Sequence, residues 1–350
     1  MSFTGMGKYH TAGSASSAAE TYAPSTMPAS ASALNSALLA LSATIGERPG
    51  GARYVLPPGV LTISTGILVP NHVSLEGHGS GTIIKAGSGL TGSMIANKAS
   101  GDRRFSVRGL TVWGNGENVT GISINTPSAS PQEYADGMYR LDALDILDCG
   151  ADAIALAGRG EAKITNIQIR DAGARGMYIN APDNMMTNIT IGGAGSHGVE
   201  IVQANNQLEL VKTYYCGLED SGHGFYLHDT LLGKLIGCEG QDNVGHGAYL
   251  DAADHMSLDF VADSNGAGHN SQVFTGHGVV VHNSDFGRFT LHTRDRNANT
   301  TRQQWGLYLS GWTSVASIDV MGQGNVLGTA KNTTGNTISG RVNGVIGNIT

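Results

Sequence analysis

Three cysteines, Cys149, Cys216 and Cys238, are all that the 350 residues contain. An odd number without CxxC spacing excludes both a disulfide framework and a zinc ribbon, so they are expected to pack as small apolar side chains. Positive charge is also short. Twenty-one Lys and Arg against 28 Asp and Glu leave a net charge of −7, which argues against a phosphate-binding surface and hence against a nucleic-acid partner. No apolar run reaches the length of a membrane span, and the first twenty residues have neither a basic n-region nor an apolar h-region. Membrane insertion and signal-directed export are therefore not expected. Charged residues make up only 14% of the chain, whereas glycine fills 51 positions, about twice its usual share. That balance favours a turn-rich β protein.

Residues 1–31 are rich in Ser, Ala, Gly and Thr, with Pro24 and Pro28 as breakers, and read as an N-terminal arm. One helix follows over 32–46: Leu34, Leu38, Leu41 and Ile45 fall on one face, Ser30 or Ser32 can cap its start, and Gly46 stops it. From Ala52 onward the text consists of short alternating strands. Residues 331–350, rich in Gly and Asn, are expected to form a last coil or an end cap.

A repeat governs the middle of the chain. "SGHGFYLHD" at 221–229 returns as "VGHGAYLDA" at 244–252 and "TGHGVVVHN" at 275–283. With Ala153, Gly176, Gly198, Gly224, Gly247, Gly278 and Gly306 as anchors, successive spacings are 23, 22, 26, 23, 31 and 28 residues. A second strand keeps the same beat through Leu144, Ile167, Ile189, Leu210, Leu235, Leu258, Phe289 and Ile318. Side chains one and three places past each anchor are apolar and point inward. Those two places past it, Ala155, Tyr178, Glu200, Tyr226, Tyr249, Val280 and Tyr308, must then face outward. Units of this length, each aligned with its copy in the next, stack as coils of a solenoid. The fold expected is all-β: a single-stranded right-handed parallel β-helix over 32–330, with a capping helix and an extended arm. Propeller blades, the rival, need four strands in about 40 residues, and these units are too short.

His197, His223, His246 and His277 each precede an anchor glycine. They therefore form a ladder along one corner, with neighbours about 4.8 Å apart, instead of converging on a point as metal ligands do. Two adjacent rungs sharing a metal is the alternative. Structural stacking is the expectation, with no metal, and the anchor glycine is attributed to backbone freedom. No cofactor is expected either, since "GHGSG" at 77–81 and "GQGNVLG" at 322–328 are turns that do not join a strand to a helix.

The stretch 50–86, "GGARYVLPPGVLTISTGILVPNHVSLEGHGSGTIIKA", resembles the opening of the pectate-lyase-like superfamily, which includes phage tailspikes and polysaccharide lyases, epimerases and hydrolases. With the later repeats the resemblance covers about 32–325. Two family features are missing: the acidic phrase before the capping helix is replaced by "YAPSTMPASAS", and the "DPHE" motif of alginate epimerases is absent. The resemblance implies a tailspike-like minor tail protein of a virion, a homotrimer whose arm docks on other tail proteins while its body binds a host-surface polysaccharide. A polysaccharide depolymerase of the same fold and a purely structural tail component are the alternatives.

Chemistry on such a body needs carboxylates, or a carboxylate with Arg, Lys or His, across a surface groove. The best cluster lies on consecutive outward positions: Glu200, then Tyr226 and His228, then Tyr249 and Asp251, then His282, with Asp229 and Asp254 beside them. Glu200, Asp251 and His228 are the catalytic candidates, the two carboxylates expected about 10 Å apart over two rungs. Tyr178, Tyr226, Tyr249, Tyr308 and His282 are the glycan-binding candidates, because tyrosine joins an apolar face to a polar tip. "TRDRNANTTRQQ" at 293–304 is expected to protrude as a loop.

Overall fold

The computed structural model describes residues 20–46, 51–99, 104–126, 139–220, 222–266, 275–296 and 302–350. Each lap of the chain lays one strand in a first sheet and one in a second. Lys163–Arg170 pairs in parallel with Met185–Gly192 one lap later, and between them Met177–Asn180 leaves for the other sheet to pair with Val199–Ile201. Among the described residues, sixteen strands collect in the first sheet and eleven in the second. The result is a parallel β-solenoid of about ten turns, with one continuous apolar core running from Ala31 to Ile349.

In the second sheet the alternation is strict. Ile154, Met177, Val199, Phe225, Ala248, Val279 and Leu307 share one row, and Leu156, Ile179, Ile201, Leu227, Leu250, Val281 and Leu309 another. None of these is more than 2% exposed. The anchor glycines stand at the head of these strands, and their reason differs from the one expected. Gly198, Gly224, Gly247 and Gly278 do not have positive φ. Instead, a Cβ on Gly198, Gly224 or Gly247 would lie 2.6 Å from the carbonyl oxygen of the anchor one rung on, so close backbone approach selects glycine.

The first sheet is less regular, and here the expected register fails. Leu144, Ile167 and Ile189 do share a row, but its next member is the buried Val211. Leu210 is 62% exposed. Leu235, Leu258, Phe289 and Ile318 belong to another row, continuous with Leu141, Ile164, Met186 and Leu208. Between the two rows each of five strands inserts a residue in the left-handed region: Ala143, Asn166, Asn188, Leu210 and Gly237, with φ of 53° to 61°. That residue points to solvent and shifts the inward parity, so a period of two cannot be carried through it.

The ends are closed by different means. Ser30 caps the helix Ala31–Ile45, its hydroxyl accepting from the Ala33 N–H at 3.2 Å, and Gly46 ends it at φ 57°. Leu34, Leu38 and Ile45 are buried, each contributing about 1.5–3 kcal/mol of apolar burial. Asn35 bonds both the Gly66 carbonyl and the Leu68 N–H, which pins the helix over the first coil. Part of the stretch read as an arm is also packed: Glu20–Tyr22 pairs with Ala52–Val55 at the edge of the first sheet. Residues 1–19 lie outside the described residues. At the other end Ile338–Val342 adds to Val315–Gln323 and turns back through Asn343 and Gly344, φ 48° and 82°, into antiparallel Val345–Ile349. Such an Asn-Gly pair with two positive φ values is what a two-residue hairpin requires.

Buried amides satisfy the bends. Asn184 accepts from the Ala162 N–H and Asn206 from the Asn184 N–H at one corner. Asn243, Asn265 and Gln303 do the same at the next. The three cysteines are buried, and burial pushes each thiol up to about 12. Among the described residues no helix is long and apolar enough to cross a membrane.

Candidate functional site

The corner leading into the second sheet carries one residue per lap just before the anchor: Asp152, Arg175, His197, His223, His246 and His277. Along the histidines, backbone pairing leaves the N–H of each next corner residue pointing at the imidazole one rung back. Nδ1 of His197 accepts from the His223 N–H at 3.0 Å, Nδ1 of His223 from His246 at 3.1 Å, and Nδ1 of His246 from His277 at 2.9 Å. The rings also stack, His246 on His277 at 5.2 Å with a 1° interplanar angle. Burial disfavours the imidazolium, holding His246 at about 3 and His277 at about 4. A neutral ring whose Nδ1 accepts a backbone N–H has that nitrogen committed. No group of three His, Cys, Asp or Glu able to hold a metal occurs among the described residues.

One rung before His197 the same column turns ionic. Arg175 gives Nε and one terminal nitrogen to Asp152, each at 2.9 Å, and its other terminal nitrogen to Glu200 at 3.0 Å. Its guanidinium also covers the Tyr178 ring at 3.9 Å. The second oxygen of Glu200 meets His228 Nε2 at 3.1 Å, and His228 Nδ1 meets the exposed Asp229 at 3.2 Å. Glu200 thus sits at the centre of a continuous Asp152–Arg175–Glu200–His228–Asp229 chain. Burial opposes its charge, yet hydrogen bonds from His228 and Arg175 and the Arg175 charge keep its carboxyl below the ordinary value.

The outward row is in the expected register: Ala155, Tyr178, Glu200, Tyr226, Tyr249, Val280 and Tyr308 are consecutive. His228, Asp251 and His282 form the row beside it. Glu200 and His228 are therefore brought together. Asp251 is not: it lies two rungs from Glu200 and two residues further along the strand, roughly 12 Å between Cα atoms by strand geometry, longer than the rung count alone implies. Asp254 turns away to accept from the Asp285 N–H, and His282 bonds Ser310 at 3.0 Å.

The tyrosines have their ring faces engaged. Tyr226 stacks on His228 at 4.5 Å and on Tyr249 at 5.5 Å, and Tyr308 on His277 at 4.8 Å. Burial and the nearby Asp251 raise the phenols of Tyr226 and Tyr249 above their usual range. All four tyrosines stay half-buried beside an ionised, hydrogen-bonded network. Asp152 and Arg175 were missed by reading the sequence, although both occupy the place before the anchor that drew attention to the histidines. Extending that column two rungs would have found them.

The sequence matches the family described as "Right handed beta helix region" over residues 94–257 and 152–337. The chain belongs to the right-handed β-helix family. No curated protein matches it. Among solved structures it is similar to the tailspike protein 2 enzymatically active domain of bacteriophage CBA120, at 14% identity over 83% of this chain and 48% of that one, TM-score 0.66. It is also similar to the A-module of the Azotobacter vinelandii mannuronan C-5 epimerase AlgE6, at 14% identity, 90% and 94% coverage and TM-score 0.58. An alginate lyase from Paenibacillus aligns at 17% identity, 93% and 99% coverage and TM-score 0.51. At such identities these likenesses define the fold.

Proposed function

We propose that the protein is a tailspike-like component of a phage tail that binds a host-surface polysaccharide through the outer face of its second sheet. The observation that carries this reading is the preformed network around Glu200, flanked by half-buried tyrosines on consecutive rungs. A sugar chain laid along the stack would meet fixed acceptors and donors at Glu200 and His228 and phenolic hydroxyls at Tyr226 and Tyr249, with no reorganisation needed on binding. Tyr178, Tyr308 and His282 would extend the contact along the axis. In this reading three copies assemble around a common axis and residues 1–31 dock onto other tail proteins.

Binding without turnover fits this geometry better than hydrolysis. Glu200 is stabilised as the carboxylate, unlike a general acid, because Arg175 and His228 both hydrogen-bond it. A depolymerase is the second reading, favoured by the direct Glu200–His228 contact, a carboxylate–imidazole pair of the kind that moves protons. Incubation with envelope polysaccharides of candidate hosts separates the two. The proposal expects saturable binding with no reducing-end or unsaturated-sugar release; release that disappears in Glu200→Gln or Asp251→Asn would establish the depolymerase instead.

A further inference from the structure

A cleft of about 680 Å³ opens on the outer face of the first sheet near its C-terminal end. Its floor is a single row of the ladder: Glu239, Val261, His292 and Met321 come from four successive strands. Arg294 and Gln323, two residues further along, make one side. The turn of the C-terminal hairpin makes an end wall at Asn343, which is held in place by accepting from the Gly322 N–H at 2.8 Å and donating to Thr329 at 3.0 Å.

The cleft is built on a buried anchor. Asp263 has a fully buried side chain and receives Arg294 Nε at 2.9 Å and Arg296 Nε at 3.0 Å. The guanidinium of Arg294 is thereby fixed at the rim while its side chain stays 53% exposed. The other ionised group of the lining, Glu239, pairs with Lys212 at 3.2 Å. The lining therefore holds one charge of each sign, each already engaged by an ion-pair partner. That balance gives no net attraction to an ionic ligand.

What remains is an apolar floor at Val261 and Met321 beside the amides of Gln323 and Asn343 and the imidazole of His292. Mixed donors and acceptors around an apolar patch suit a hydroxyl-rich, uncharged ring system. The volume falls in the ~300–1,000 Å³ range of small-molecule sites, and the rung spacing of about 4.8 Å is close to the length of one pyranose residue in an extended chain. We infer that this cleft is a second saccharide site, taking two or three neutral sugar residues. It shares with the reading above the premise of a glycan ligand, but not the face that binds it.

Saturation-transfer NMR on the full chain with neutral di- to tetrasaccharides of glucose, galactose, mannose and N-acetylglucosamine tests the inference. His292→Ala with Gln323→Ala removes two exposed lining groups, and Glu200→Gln with Tyr226→Ala alters the other face; circular dichroism and Tm confirm that each variant is folded. Each variant alone is expected to lose part of the signal, and the two combined to weaken it at least tenfold. Signal lost only in the second variant would overturn the cleft site while leaving the second-sheet reading intact. Loss only in the first would keep the cleft and remove support from the second-sheet face. Preference for uronate-containing oligosaccharides over neutral ones would contradict the assigned ligand class, and no saccharide signal would refute the site.

Discussion

The two sheets run side by side through the same coils, yet they solve the buried-polar problem differently. From His197 to His277 the second sheet is entered through a neutral corner, where stacked imidazoles accept backbone N–H groups. The first is left through an ionic corner, where Asp263 and Asp242 hold Arg294, Arg296 and Arg302. A neutral ladder depends on keeping protons off its rings, whereas an ionic clamp depends on keeping both signs of charge. The two corners should therefore fail for different reasons.

The ionic corner gives the largest effect. Asp263→Ala removes the buried acceptor of two half-exposed guanidiniums, and unfolding in denaturant should show a loss of about 2–3 kcal/mol. A loss below about 1 kcal/mol would mean that the clamp is replaced by solvent and that the contrast between corners is false. His246→Ala comes next. It removes the acceptor for the His277 N–H and should cost about 1–3 kcal/mol in the same measurement.

Acid should act on the neutral corner. The unfolded chain takes up protons at these imidazoles near pH 6.5, while the folded chain resists until about pH 4 at His277 and about pH 3 at His246. Unfolded protein thus binds more protons in that window, so the ladder's contribution is complete above pH 6.5 and falls as pH drops toward 3. Stability followed across pH 7 to 4 should decline, and His246→Ala should flatten the decline. An equal slope in the variant would remove the ladder as its cause.

Legibility from sequence divides along the same line. Strict alternation in the second sheet made its inward rows, its outward row and the Glu200–His228 neighbourhood readable from anchors alone. The first sheet hid its register because one left-handed residue is inserted in the strand, and that residue is Asn at 166 and 188 but Ala at 143 and Leu at 210. Asparagine tolerates this conformation, so two of the insertions carried a signal, while leucine there carries none. The Arg175 and Asp152 contribution was hidden differently, since their column changes from acid to base to imidazole and shows no residue type to follow. The Asn-Gly hairpin at 343–344 was plain in the sequence and went unused. Of the stretch 293–304, expected to protrude, Arg294, Arg296 and Arg302 are drawn into the ionic corner, while 297–301 lie outside the described residues.

The smallest effect sharpens the contrast between the sheets themselves. Leu210 is a leucine with φ 53° and 62% exposure, where the two preceding rungs have asparagine. Leu210→Asn should raise stability by about 0.5–1 kcal/mol, because it relieves a left-handed conformation without removing a buried contact. Thermal unfolding detects it as a small rise in Tm.

Equilibrium binding of a fluorescently labelled host-envelope polysaccharide to the wild type and to a Tyr226→Ala, His228→Ala variant addresses recognition by the second sheet most directly. The account predicts that the folded variant binds at least about tenfold more weakly, a difference of about 1.4 kcal/mol. Equal affinity in wild type and variant would contradict it and place recognition elsewhere on the solenoid.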